Sequence, residues 1–355
     1  MTFTERVKGI TQDTIIPSVV DAILGGNWIT FRMVFNGKKW SGETLQRPIK
    51  IEKSTLGGSF SGLDTHSTAT VDNRIRLSYD PRGYEMPCVI PGIEKAVNQT
   101  EAQVLSLVKV ELESAQEDAL DDLGDMFYGD GTGNGNKDFL GLDALDDDGT
   151  SVDSIGGKSR TTYAVLKGTR TASGGDLDLD KLATLVSAVS AGSGLKNRPS
   201  VFASGEDVWD FYESLLTPTI QANYQSFGLP VMTHQSKAPI RAAELKGAAG
   251  FMALTFRGIP FIADDKAPDG TLWALNENYI SWYGLKDSDL ESISLGSGPI
   301  EGVYDEIPSK NVGFQWTGFM RPINQYGEVA HIYLLGNLVV WNPKRQGRLT
   351  GITGV

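Results

Sequence analysis

The sequence predicts an α+β fold built around one long amphipathic helix. Three observations indicate this fold. A helical pattern free of Pro and Gly runs from Ile93 to Leu123, alternating strand patterns precede it, and mixed helical and strand patterns follow it. Extended over residues 100–127, the helix would be a rod of roughly 40 Å, because each residue adds ~1.5 Å. Such a rod is a spine on which other layers can pack.

The composition is that of a globular chain with an excess of acidic residues. The 355 residues are 40% hydrophobic and 21% charged, and the formal net charge is −12. This charge argues against a freestanding nucleic-acid binder, which needs a basic face to neutralise phosphates. Cys88 is the only cysteine, so an internal disulfide is excluded. The polar start and the lack of a long apolar stretch predict a product that stays in the cytoplasm where it is made, away from membranes.

The residues before the predicted spine helix are expected to lack a core of their own. Residues 1–28 have the weak periodicity of an arm. Residues 29–85 carry alternating patterns typical of strands at 29–35, 49–53 and 71–77, with a turn signal at Asn36-Gly37 and a glycine-rich segment at 56–68. A two-stranded excursion of this kind is marginally stable alone, so we expect it to lie against a neighbour.

One face of the predicted spine helix is apolar and the opposite face is acidic. The apolar positions recur at helical spacing and are Val97, Val104, Leu105, Val108, Leu112, Ala115, Ala119, Leu123 and Met126. The carboxylates of the other face are Glu101, Glu111, Glu113, Glu117, Asp118, Asp121 and Asp122. Gly129, Gly131 and Gly133 then end the helix.

Beyond the helix, the sequence divides into a loop region, an α/β unit and returning strands. Residues 129–175 are rich in Gly, Asp and Thr and predict a structured loop, in which Asp146-Asp147-Asp148 is interpreted as a solvated segment. Residues 176–310 combine helical patterns near Leu179 and Val208 with several strand patterns. Residues 311–355 return to strand alternation and end in a basic, glycine-rich tail.

The sequence contains no recognisable set of catalytic, cofactor-binding or metal-ligating residues. Asp130, Thr132 and Asn134 stand at the first, third and fifth positions of a possible calcium loop, but Gly141 stands where the bidentate Glu is required. The three histidines lack a second histidine at ligand spacing, and the nucleophile-elbow motif is absent. We therefore predict neither an enzyme nor a cofactor, and we interpret the glycine loop as a turn.

The order of these segments resembles the major capsid proteins of tailed bacteriophages, which have the Hong Kong 97-type fold. The local patterns that carry the resemblance extend over nearly the whole chain. They are FYGDGTG at 127–133 continuing to Gly141-Leu142, IGG and RTTY within 155–163, RGIPF at 257–261 followed by Asp264, Pro268 and Asn276, and the Asn342-Pro343 tail with QGRLTG at 346–351.

The resemblance implies five regions along the chain. Residues 1–28 would be an N-terminal arm and residues 29–85 an extended β E-loop. Residues 86–175 would be the P-domain, with the spine helix and the loop that follows it. Residues 176–310 would be the α/β A-domain, and residues 311–355 the returning P-domain strands and C-terminal tail.

The resemblance also implies a structural role without catalysis. The chain would self-assemble as pentamers and hexamers into an icosahedral phage head that encloses double-stranded DNA without sequence-specific binding, and an acidic interior would repel the genome. A separate scaffolding protein is implied, because only the arm and the E-loop precede the spine helix, and so is a portal protein. The protein would be located in the virion after assembly in the host bacterial cytoplasm.

Eight charged residues are candidates for assembly contacts. Basic residues of the E-loop would suit the acidic face of a neighbouring spine helix, and an ordinary solvated surface is the alternative interpretation. The candidates are Lys50, Lys53, Arg74, Arg76, Glu111, Glu117, Asp121 and Asp122. Some relatives join a lysine to an asparagine of the next subunit, but no motif in this sequence selects such a pair, so we expect no covalent cross-link.

Two other functions stay open. An encapsulin-type nanocompartment shell would share the fold and enclose enzymes instead of DNA. A protein of a different class, an acidic calcium-dependent surface protein or adhesin, is suggested by the acidic glycine-rich loops, and its stability would depend on calcium.

Overall fold

The computed structural model of the chain describes residues 33–34, 37–66, 68–97, 101–190, 197–216, 254–286, 291–292 and 314–353. For residues 101–106 and for Gln116 it describes the backbone only. The predicted arm at 1–28, most of the strand pattern at 29–35, Asn36 of the predicted turn, and His234 lie outside these ranges.

Helices and strands alternate irregularly along the described chain, as expected of an α+β protein. The helices are α1 (Gly92–Val97), α2 (Glu101–Tyr128), α3 (Leu142–Leu145), α4 (Leu179–Val189) and α5 (Glu206–Leu215), with short helical turns at Gly133–Asn136, Ala164–Leu166 and Pro343–Arg345. The strands are β1 (Lys38–Lys39), β2 (Leu45–Lys50), β3 (Arg74–Tyr79), β4 (Arg82–Pro91), β5 (Ser154–Ile155), β6 (Lys158–Ser159), β7 (Thr169–Thr171), β8 (Val201–Ser204), β9 (Leu254–Phe256), β10 (Ile259–Ala263), β11 (Leu272–Leu275), β12 (Ile280–Gly284), β13 (Glu291–Ser292), β14 (Phe314–Trp316), β15 (Gly327–Val340) and β16 (Gly347–Leu349). Within the described ranges, none of the helices has the length and apolarity that crossing a membrane requires.

The predicted spine helix is α2, whose 28 residues make it about 42 Å long. Buried side chains recur every three or four residues along it, at Val108, Leu112, Ala115, Ala119, Leu123 and Phe127, and Tyr128 at its last position is buried as well. Val97 was predicted to begin this stripe, but it belongs to α1 and is 75% exposed. Beyond the helix the chain turns back so closely that a Cβ on Gly141 would lie 2.3 Å from the Gly129 carbonyl oxygen, so this position requires glycine.

The first sheet is organised around β15, which has 14 residues. It pairs antiparallel with β4, β12 and β14, while β1 extends the sheet beyond β12 and β13 extends it beyond β14. Alternate residues of β15, among them Ala330, Ile332 and Leu334, are buried. These residues belong to the same hydrophobic core as the apolar face of α2. The spine helix and the first sheet therefore form one packed layer pair.

The second sheet has the strand order β7-β16-β11-β8-β10-β9. It has a separate hydrophobic core, to which α4 contributes Leu182 and Leu185 and α5 contributes Val208 and Tyr212. The stacked rings of Tyr212 and Phe261, with centroids 4.7 Å apart, lie inside this core. The α/β character predicted for this part of the sequence is therefore present.

The strand pairings cross the predicted domain boundaries at several places, of which two join the sheets to distant parts of the chain. Strand β12 lies in the range 176–310 but pairs with β15 of the first sheet, and β16 lies in the range 311–355 but pairs with β11 of the second. A local pattern identifies a strand without identifying its partner, because pairing is set by residues far away along the chain. The boundaries themselves stay predictions.

Candidate functional site

Strands β2 and β3 form a hairpin that makes a two-stranded sheet of its own. They run antiparallel, with Leu45 opposite Tyr79 and Lys50 opposite Arg74. This hairpin corresponds to the predicted β excursion, whose strands were expected at 49–53 and 71–77. We call it, together with the loop at residues 51–73, the projecting hairpin.

The root of the projecting hairpin is anchored to the first sheet through aromatic residues. The Tyr79 hydroxyl donates a hydrogen bond of 2.7 Å to the carbonyl of Val340, and the Tyr79 ring packs edge-on against Trp341. Burial raises the pKa of Tyr79, so its hydroxyl stays a donor. The guanidinium of Arg47 lies 5.3 Å from the centre of the Trp341 ring. The indole N–H of Trp341 in turn donates to the Tyr283 hydroxyl at 3.1 Å.

A second contact fixes the root from the opposite direction. The β5–β6 turn places Gly156 against β3, where the amide of Ser78 donates to the Gly156 carbonyl at 3.0 Å. Gly156 has a φ of +54°, and a Cβ there would lie 2.9 Å from Cβ of Leu77. Leu77 itself is fully buried. Both the direction of β3 and the closeness of this contact therefore depend on glycine at 156.

The far end of the projecting hairpin is exposed although it carries apolar side chains. Leu63 is fully exposed and Phe60 is 70% exposed, while Leu56 and Val71 are exposed to a lesser extent. Phe60 contacts only the edge of the His66 ring among described aromatic residues. Single exposed apolar residues are common, but four of them on one hairpin make it a candidate contact surface.

The polar face of the projecting hairpin is basic. Lys50 and Arg74 are directly opposite in the register, so their side chains lie on the same face, and Arg76 follows on that face. Arg76 donates to the Gln46 side chain at 3.2 Å, and Lys53 is exposed in the adjoining loop. Within the described part of the chain, these four residues take part in no ion pair. Two like charges directly opposite each other are unfavourable unless an anion lies nearby.

The acidic candidates on the spine helix differ from one another in their surroundings. Asp121 accepts from the Lys266 ammonium at 2.5 Å, and Asp122 accepts from the Tyr84 hydroxyl at 2.9 Å. Both therefore have partners within the chain. Glu111 is half-buried, and its charge adds to burial in raising the pKa of the Cys88 thiol to about 12.

Glu117 differs, because it is exposed and forms no ion pair among the described residues. No ion pair joins the basic candidates of the projecting hairpin to the acidic candidates of α2 within the described chain. The structure thus groups three basic candidates on one face and leaves the acidic group apart from them.

The interpretation of Asp146-Asp147-Asp148 as a solvated segment was wrong for its first two residues. Asp146 and Asp147 are fully buried together with Arg160 and Arg348. The sequence held no local signal for this cluster, because its arginines come from segments 14 and 202 positions further along (160 − 146 and 348 − 146). The pairing of β7 with β16 also places Arg170 opposite Arg348.

The glycine-rich loop after the spine helix forms a turn. Asp130 accepts hydrogen bonds from the Thr132 amide at 2.9 Å and from the Thr132 hydroxyl at 2.7 Å, and both lower the pKa of Asp130. Its carboxylate is thereby engaged in a local Asx turn. Among the residues that the structure describes, no group of three His, Cys, Asp or Glu side chains is arranged to hold a metal ion.

Sequence comparison detects no relatives. No protein-family model matches the chain, and the curated proteins give no match.

Comparison of folds gives a clear result. A chain of the cyanophage A-1(L) capsid asymmetric unit is similar over 90% of this chain and 90% of its own length, with a TM-score of 0.60 at 12% sequence identity. The capsid of Myoviridae phage XM1 gives a TM-score of 0.49 at 14% identity over 90% of both chains. The holo-SrpI encapsulin complex from Synechococcus elongatus PCC 7942 gives 0.47 at 12% identity, over 92% of this chain and 88% of that one.

Because the TM-scores of the last two are below 0.5, the comparison rests on the first, which covers 90% of both chains. This mixed α+β chain has the fold of a phage capsid protein.

Proposed function

We propose that the chain is the structural subunit of a closed protein shell, a phage major capsid protein with the Hong Kong 97-type fold. The observation that carries the proposal is the projecting hairpin, which has an apolar end and a basic face that the described chain leaves uncovered. The fold that this chain shares with a phage capsid chain supports the same proposal. The function needs neither catalysis nor a cofactor.

Burial in a neighbouring copy explains why the hairpin is built as it is. An isolated two-stranded hairpin is marginal in water, and the described contacts of this one with the first core lie on its strands, through Tyr79, Ile49 and Ile75. Covering Phe60 and Leu63 would remove apolar surface from water at about 25 cal/mol per Å². A carboxylate beside Lys50 and Arg74 would relieve their mutual repulsion.

We assign the acidic side of this contact to the spine helix of a second copy. Glu117 is the foremost candidate because it is exposed and without an ion pair among the described residues. Glu111 is half-buried, and Asp121 and Asp122 already have partners, so they contribute less. In these terms residues 29–85 act as the E-loop, the spine helix belongs to the P-domain, and the second sheet belongs to the A-domain.

The assembled shell encloses double-stranded DNA as the head of a phage, built from hexamers and pentamers. The net charge of −12 suits a wall that holds DNA without binding it. A separate scaffolding protein and a portal protein complete the assembly in the bacterial cytoplasm, and the product is located in the virion.

Electron microscopy of the purified chain, expressed alone and with a scaffolding protein from the same genome, tests this proposal. Closed shells or ring-shaped capsomers are the expected result. A monomer under every condition would reject it, and calcium-dependent stability would then favour a surface protein or adhesin. Nucleic acid inside particles isolated from the native source supports a phage head, whereas an enclosed enzyme would identify a nanocompartment.

A further inference from the structure

A buried charge cluster joins the loop after the spine helix to the second sheet. Its acidic members come from the segment 143–148, and its basic members come from the β6 end, β7 and β16. Four of the side chains have almost no exposed surface: Asp146, Asp147, Arg160 and Arg348. Asp143 and Arg170 complete the cluster at its margin, with 38% and 22% of their side chains exposed.

Asp147 is buried, and hydrogen bonds from the protein take the place of water around its carboxylate. Arg348 donates to Asp147 Oδ1 at 2.9 Å and Arg170 donates to the same oxygen at 3.2 Å. Three backbone amides donate to Oδ2, those of Gly149 at 2.8 Å, Ser151 at 3.1 Å and Val152 at 3.0 Å. Five donors therefore satisfy the two oxygens of this buried carboxylate.

Asp146 lies beside it in the opposite situation. It is fully buried, and among the residues that the structure describes neither of its carboxylate oxygens accepts a hydrogen bond of good geometry. The nearest cationic atom is Nε of Arg348, at 3.5 Å from Oδ1, and the other end of that guanidinium is committed to Asp147 and Asp143.

Arg160 does not compensate for the missing donors. Its guanidinium donates to the carbonyls of Leu166, Val152 and Ala144, at 3.1, 2.6 and 2.6 Å. Its distance to Asp147 Oδ2 is 3.9 Å, and it donates no hydrogen bond to Asp146. Tyr79 also faces Arg160. The N–H groups of this arginine therefore donate to backbone carbonyls.

These surroundings oppose a negative charge on Asp146. A buried carboxylate without hydrogen bonds is strongly disfavoured relative to its neutral form. Burial, followed by the charge of Asp147, raises the pKa of Asp146 well above its usual range, and the charges of Arg160 and Arg170 together with the Asp146 amide only partly oppose that shift. Asp148, next along the chain, is half-buried, and its carboxylate accepts from the Thr150 amide at 3.0 Å.

We propose that Asp146 holds a proton in the folded chain, and that losing this proton loosens the joint between segment 143–148 and strand β16. The neutral carboxyl lets two adjacent aspartates share one buried cluster with the arginines. This inference concerns the chain itself and stands apart from the shell function proposed above.

The direction of the pH dependence follows from proton linkage. The unfolded chain releases the Asp146 proton near the ordinary aspartate pKa of about 3.9. The folded chain keeps it until a higher pH. Between these two values the folded form binds one proton more, so its stability declines with rising pH, by up to about tenfold in the unfolding equilibrium per pH unit. Below the lower value this contribution is fully present.

Hydrogen exchange of the full chain measures the joint locally. The amides to follow are those of Gly347–Leu349 and their partners Thr169–Thr171. After correction for the chemical exchange rate, protection in the native chain should decline as pH rises from 5 to 8, by up to about tenfold per unit. In Asp146→Asn, which is neutral at every pH, protection should stay level. Asp148→Asn, the matched control, should decline as the native chain does.

Two results would overturn the proposal. The first is an Asp146→Asn chain whose protection changes with pH in parallel with the native chain. The second needs no variant, so it applies even if Asp146→Asn fails to fold. It comes from infrared spectroscopy of the native chain labelled with ¹³C-aspartate. A protonated-carboxyl band at neutral pH is expected, and its absence would show that every aspartate is ionised.

Discussion

Replacing Arg74 by Glu should move folding and assembly in opposite directions. Within one chain, Arg74 lies opposite Lys50 in the hairpin register, so the substitution converts a repulsive pair into an attractive one. Cross-strand charge pairs are worth about 0.2–1 kcal/mol. Because both side chains are exposed, we expect the isolated subunit to gain a few tenths of a kcal/mol in unfolding free energy at most.

The same change of charge at residue 74 should weaken assembly. A contact with an acidic helix face loses one exposed ion pair and gains a repulsion of similar size, in total about 0.4–2 kcal/mol per contact. At 1.4 kcal/mol for each tenfold change, the concentration at which shells form should rise about twofold to thirtyfold. Light scattering against protein concentration measures this threshold, and chemical denaturation measures subunit stability.

The matched control is Lys344→Glu, which makes the same charge change at an exposed residue outside the hairpin. Its assembly threshold should stay within the error of the native value. Adding Glu117→Lys to Arg74→Glu should lower the threshold again if these residues meet between copies. Equal thresholds for Arg74→Glu and Lys344→Glu would refute the reasoning, and so would a clear loss of subunit stability in Arg74→Glu.

Three further predictions concern the chain itself. Gly156→Ala should lower the unfolding free energy by about 1–3 kcal/mol, because it adds left-handed strain and a clash with Leu77; Gly157→Ala, with φ of +72° and open space around it, should show only the strain. Asp147→Asn should cost about 3–5 kcal/mol in chemical denaturation, since it removes the carboxylate that buried Arg348 shares with Arg170, and a neutral effect would contradict the role given to this contact. The Cys88 thiol, with its pKa raised to about 12, should resist thiol reagents at pH 8 in the native chain and react once the chain is denatured.

Local periodicity was sufficient to predict the spine helix and its buried face. Val108, Leu112 and Ala119 lie where the sequence pattern placed them, because a helix of this length has a single apolar stripe and one way to bury it. The projecting hairpin was also predictable, since alternation and a glycine-rich connection are both local signals. Its strands lie within a few residues of the predicted ranges.

The interlocking of the two sheets could not be predicted in this way. Whether β12 pairs with β15 or with its nearer neighbour β11 depends on contacts among distant residues, and a short apolar strand fits either place. The buried Asp146 and Asp147 were hidden for a related reason. A run of aspartates indicates solvent unless the arginines that cover it are known, and these come from separate strands.

The candidate contact residues were only partly recoverable from sequence. Lys50 and Arg74 were chosen for their charge alone, and the register then made them a facing pair. Asp121 and Asp122 were chosen in the same way but are engaged by Lys266 and Tyr84. Charge identifies candidates, whereas availability depends on partners that sequence spacing does not reveal.

The position of β16 has a consequence for how the protein is made. This strand lies between β7 and β11 in the second sheet, so those two neighbours meet only through residues 347–349. A ribosome produces these residues after every other strand of that sheet. During synthesis the sheet therefore lacks the strand that links β7 to β11. It is completed once residues 347–349 emerge, so the finished subunit forms only after translation has passed this strand.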